Sequence, residues 1–168
     1  MSNNLQPILA LIEEQRDQQR DLLKLSYEKR QTVTKGDTER LNEIVQQELN
    51  LLSRINSLEK QRMAAAARIA EGEGCKAAEV TLTFLIQLSE GADRDRFTAL
   101  QREMSGLLQA QAELNKINKS LLEEQLEYTD AMLGILVGAE DPLNNFYNVD
   151  GTAEQERRQR TGLIDRQV

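Results

Sequence analysis

The chain has no histidine, no tryptophan, one cysteine, two prolines and only six aromatic residues in 168. Losing histidine removes the usual general base, the commonest metal ligand and the histidine-dependent triads together. It also excludes a ferritin-type di-metal bundle, whose ligands include Glu-x-x-His pairs. The single Cys75 has no partner for an internal disulfide, and between Gly74 and Lys76 it reads as a free loop thiol. Gly72 and Gly74 lack the following Lys-Ser/Thr that a phosphate-binding loop needs. No run is long and apolar enough for a bilayer: VTLTFLIQLS (80–89) is about half the required length. LQPILALI runs into Glu13-Glu14 with no basic flank, so no signal peptide is expected.

Positive charge is scarce as well. The net charge is −7, divided as −5 over residues 1–139 and −2 over residues 140–168. ERRQR (156–160) is the most basic stretch, too short and too poor in aromatics for a nucleic-acid footprint. The carboxylate pairs Glu13-Glu14 and Glu123-Glu124 are adjacent, so on a helix they diverge by about 100° and read as solvated surface. A cleft using Arg54, Arg62 and Arg68 is the remaining catalytic possibility, but most charges fall outside the apolar stripes. The expectation is a cytoplasmic protein that is not an enzyme, with no cofactor, no metal, no nucleic acid and no direct membrane insertion.

What is abundant is helix-forming. Leu, Glu, Gln, Arg and Ala fill long stretches, the composition of long helices and coiled coils. The predicted fold is all-α: an antiparallel bundle or coiled coil of three long helices and one short one, followed by a flexible C-terminal tail. Helices are expected at about 4–34, 38–70, 77–89 and 93–138, so that residues 1–139 make the bundle and 140–168 the tail. Ser2, Asn3 and Asn4 are cap candidates for the first helix, and Pro7 fits its first turn. Thr34-Lys35-Gly36-Asp37 ends that helix and caps the next, so short a turn implying an antiparallel hairpin. Residues 79–89 also admit a strand, but a lone strand has no partner here, and a short helix is the preferred reading.

The last helix carries the clearest periodicity. One heptad seat reads Phe97, Met104, Gln111, Asn118, Gln125, Met132; the other reads Leu100, Leu107, Leu114, Leu121, Tyr128, Ile135. At 1.5 Å per residue this helix is roughly 70 Å long, against roughly 45–50 Å for each of the first two. Some of it must project, bend or meet another partner. For Gln111 and Gln125 a solvent-facing position is the preferred reading, because a straight helix drifts out of a strict heptad. For Asn118, solvent and a register-fixing buried amide stand equal. The face around Leu133 and Leu136 is core if the chain covers it, and otherwise a groove for an amphipathic helix from a partner or a second copy.

NKINKSLLEEQLEYTDAMLGIL (115–136), followed by a breaker and FYNVDG (146–151), resembles the C-terminal half of the FlgN-like flagellar export chaperones. YEKRQTVTKGDTERLNEIVQQELNLLSRINSLEKQR (27–62) is similar to that family's N-terminal hairpin. The resemblance implies a cytoplasmic type III export chaperone that binds unexported hook-associated, or hook–filament junction, proteins through its long C-terminal helix. It would then deliver them to the membrane export gate. It puts cargo binding at Leu114, Ile117, Asn118, Leu121, Leu122, Gln125, Tyr128, Met132 and Ile135, and gate docking at Phe146, Tyr147 and Gly151. The EGEGCK loop (71–76) and the helix after it depart from the compact family pattern, and the tail beyond Gly151 carries no matching motif. The alternative is a coiled-coil scaffold that self-associates through the same helix without transporting a client; homo-oligomers are possible in either case.

Overall fold

The structure, a computed structural model, describes residues 5–137. They are all-α, as expected: α1 spans Gln6–Lys35, α2 Thr38–Glu73, α3 Leu82–Leu88 and α4 Gly91–Leu136, with a 3-10 turn at Ala77–Glu79. Two compact units divide the chain, one reaching Leu121 and the other beginning at Leu122. The expected boundary between bundle and tail, at 139/140, lies outside the described residues, as do the cap candidates Ser2, Asn3 and Asn4. Leu5 occupies the N-cap of α1 with no side-chain hydrogen bond, and Pro7 sits in the first turn.

The turn between α1 and α2 has the chemistry expected of it. Gly36 adopts φ 70°, a left-handed conformation open to glycine, and its N–H reaches the Thr32 and Val33 carbonyls. Asp37 then caps α2, its carboxylate accepting from the Arg40 N–H at 3.0 Å. Arg40 also pairs with Glu28 of α1 and Glu43 of its own helix, tying the two sides of the turn together. Asp37→Ala should therefore cost about 1 kcal/mol, read as a lower midpoint in urea with an unchanged slope.

In place of one helix over 77–89 stand the 3-10 turn and seven-residue α3. Val80 and Thr81 are the break: the backbone at Thr81 is extended, and its hydroxyl accepts from the Phe84 N–H at 3.2 Å. A β-branched pair whose second member is a good N-cap favours starting a new helix over continuing an old one. Among the described residues there is no strand.

Numbers that rise together show that α4 runs parallel to α1. Gln6 donates to Asp93 at 2.9 and 3.0 Å, Arg96 to Glu13 at 2.7 Å, and Arg20 to Glu103 at 3.1 Å. These surface pairs set direction more than stability. Stability comes from the core at the other end from the α1–α2 turn. There Leu5, Ile8, Leu9 and Ile12 of α1 meet Ala66, Ile69 and Ala70 of α2, Val80, Leu85 of α3, and Phe97 and Leu100 of α4. Small side chains at Ala66 and Ala70 let α2 come close to this cluster. Nothing of Phe97 or Leu9 remains exposed.

Candidate functional site

Up to Leu121, α4 uses its periodic face inside the first unit. Leu114 and Asn118 are buried. Leu121 is half-buried and Ile117 exposed. Of the expected cargo-binding residues in this unit, then, the structure places two within the packed interior, one at its margin and one at the surface. Asn118 is held by a hydrogen bond from its Nδ2 to the Ser26 carbonyl at 2.9 Å, so its amide is an inward-facing group, the register-fixing reading of the two left open.

Gln111 overturns the solvent-facing expectation. It is buried, and its Nε2 donates to Ser26 Oγ at 2.7 Å and to Asn115 Oδ1 at 2.8 Å. The reason is a polar layer set by the other two helices. Lys29 of α1 donates to both oxygens of Glu48 of α2, at 2.8 and 2.7 Å, and Ser26 Oγ donates to Glu48 at 3.3 Å. A seat facing that layer needs a donor more than a methyl group. Heptad drift does not apply where a specific partner turns the side chain inward. Gln125, the third amide of the row, is exposed as expected.

The second unit, over its described residues, has a different character. Leu122 is half-buried, whereas Gln125, Tyr128, Met132 and Ile135 are exposed. Beside them Leu126 is 66% exposed, Leu133 51%, Leu136 77% and Val137 82%. A soluble surface carries scattered apolar residues without consequence, but seven large ones between 126 and 137 are exposed around the end of one helix. Leu126 was not among the expected cargo-binding residues. Its spacing of four from Leu122 is the signal that finds it. Phe146, Tyr147 and Gly151 lie outside the described residues.

Among the described residues no group of carboxylates and cysteine stands ready to hold a metal. Nor is any described helix long and apolar enough to cross a membrane. Arg62 does line a cleft in the first unit, but it is engaged by Glu59 at 2.8 and 2.6 Å. That guanidinium, with help from Gln15, holds the Glu59 carboxyl below its usual range against the opposing effect of burial. Because the folded-state pKa is lowered, the pair's contribution is present above the ordinary carboxylate range and lost as acid protonates Glu59. Half-exposed as Glu59 is, that contribution is small. Glu59→Gln should leave stability near neutral pH within about 1 kcal/mol and flatten its fall between pH 5 and 3, read by urea titration at each pH.

No curated protein and no solved structure matches the chain. The sequence model of the family described as FlgN protein matches residues 1–155, which takes in the hairpin, the short α3 and the whole of α4. An all-α chain with a capped hairpin, a long final helix ending in exposed apolar side chains, and a match over nearly its full length belongs to the FlgN family of flagellar export chaperones.

Proposed function

We propose that this chaperone works in the cytoplasm on hook-associated, or hook–filament junction, proteins, holding them through α4 and presenting them to the membrane export gate. The observation that carries the reading is the run of exposed apolar side chains from Leu126 to Val137. Such a row is a cost to an isolated soluble chain and a resource to one that covers an amphipathic helix until export. The client contacts we propose are Ile117 and Leu121 in the first unit and, in the second, Leu122, Tyr128, Met132 and Ile135, joined by Leu126 and Leu133. At about 100° per residue Leu126 and Leu133 lie with Leu122, and Tyr128, Met132 and Ile135 lie roughly opposite them. Gln125 supplies an amide beside them. Leu114 and Asn118 support Ile117 and Leu121 from the buried side of the same helix.

Mixing the purified protein with hook-associated proteins of the same organism over a sizing column tests the reading. A defined complex is expected with at least one of them. A row of apolar side chains also suits self-association, and a scaffold would elute earlier with rising concentration while ignoring every junction protein. That pattern would refute the client-binding function.

Gate docking is proposed for Phe146, Tyr147 and Gly151, on the likeness of Tyr147 to the family's tail tyrosine. Tyr147→Ala should leave client affinity within threefold and weaken binding to the gate component at least tenfold. A tenfold loss of client affinity instead, about 1.4 kcal/mol, would contradict the separation of roles.

A further inference from the structure

The first unit is a bundle of three long helices with one place open. A cleft of about 500 Å³ runs over α1 between Ile55 and Met63 of α2 and Met104 and Leu108 of α4, and Leu82 and Leu85 of α3 close one end. α3 is thus a seven-residue helix seated in a trough that continues past it. The walls stay apolar toward solvent: Leu108 and Met63 are exposed on either side, and Leu49 and Leu52 extend the α2 wall by helical spacing.

We propose that this trough receives an amphipathic α-helix of the client, in line with α3, as a contact additional to the apolar end of α4. This rests on the client-binding reading above. Three observations select the occupant. The long walls are helices whose backbone groups are already paired, so an extended peptide would find no ladder to join and would bury unpaired amides. A helix satisfies its own backbone. Second, the trough continues an existing helix seat, that of α3, whose Leu82 and Leu85 show what kind of side chain fits. Third, the shoulders have a sign. Helical position puts Lys60 on the α2 shoulder and Lys116 on the α4 shoulder, and the one acid in the lining, Glu59, is engaged by Arg62. In a chain of net charge −7, that favours a helix with acidic flanks beside its apolar stripe.

A photo-cross-linking residue is placed at Leu108 in one full-length protein, at Leu126 in a second and at Ser57 in a third as a background control. Each is mixed with a purified hook-associated protein of the same organism. Client adducts are expected from positions 108 and 126, with the 108 adduct mapping to a helical segment that has acidic flanks. Lys60→Glu with Lys116→Glu should weaken the complex at least tenfold at low salt, and less as salt rises. Adducts from 126 alone would overturn the trough proposal and leave the client-binding reading standing. Adducts from neither position would overturn both. A 108 adduct to a second copy, or within the same chain, would also overturn it, since the trough would then have a different occupant.

Discussion

Leu126→Glu combined with Leu133→Glu is expected to abolish client binding while leaving the fold intact. Both side chains are more than half exposed, so replacing them removes little packing. Glutamate is nearly as good a helix former as leucine, and helix content by circular dichroism should be unchanged. Covering a leucine fully contributes about 1.5–3 kcal/mol. With 66% of Leu126 and 51% of Leu133 left for a partner to cover, losing both amounts to about 2–3.5 kcal/mol, roughly twentyfold to a few hundredfold in affinity. Two carboxylates would also be left against an apolar partner, weakening it further. Titration calorimetry against the hook-associated protein that binds best gives the number. Retention of affinity within threefold would remove the apolar end of α4 from the contact face. The pair is a cleaner probe than Leu121 and Leu122, both half-buried, where a loss of binding is entangled with a loss of packing.

Much of this architecture was legible because it is local. Gly36-Asp37 announces a helix end and a cap within two residues, and both perform those roles in the structure. The 3.5-residue recurrence along α4 likewise identifies one long helix and its inward face. What was not legible depends on residues far apart in the chain. Nothing near Gln111 says that Ser26, 85 positions earlier, will stand opposite it. An amide in a heptad seat therefore reads as drift until its partner is known. The break at Val80-Thr81 was written in the sequence, but a β-branched run suits a strand, a helix margin or a cap, and only the seating of Leu85 in the core selects among them. The apolar character of residues 126–137 was visible from the start. Whether it was core or surface was not, because periodicity reports a face and not what covers it.

The polar layer at Ser26 carries the largest effect on stability. Lys29→Met should destabilise the protein by about 2–3 kcal/mol, because it leaves the Glu48 carboxylate nearly buried with only the Ser26 hydroxyl to answer it. The double change, Lys29→Met with Glu48→Leu, should recover most of that loss, since an apolar pair of similar volume has no charge to desolvate. The two single changes and the double change form a cycle, and a coupling near zero would show that the pair is not functioning as a unit. Recovery of stability has a structural consequence. Glu48 orients the Ser26 hydroxyl, and that hydroxyl accepts from Gln111 while the Ser26 carbonyl accepts from Asn118. With the charges gone, Gln111 loses a fixed hydroxyl to meet, and the axial position of α4 against α1 rests on the Asn118 bond to the Ser26 carbonyl, exposed surface pairs and apolar contacts that tolerate sliding. Amide hydrogen exchange should accordingly accelerate in residues 104–121 of the double variant even where its urea midpoint equals that of the parent. Unchanged exchange there would mean that the apolar face of α4 sets its own register, and that the layer of Lys29, Glu48 and Gln111 contributes only to stability.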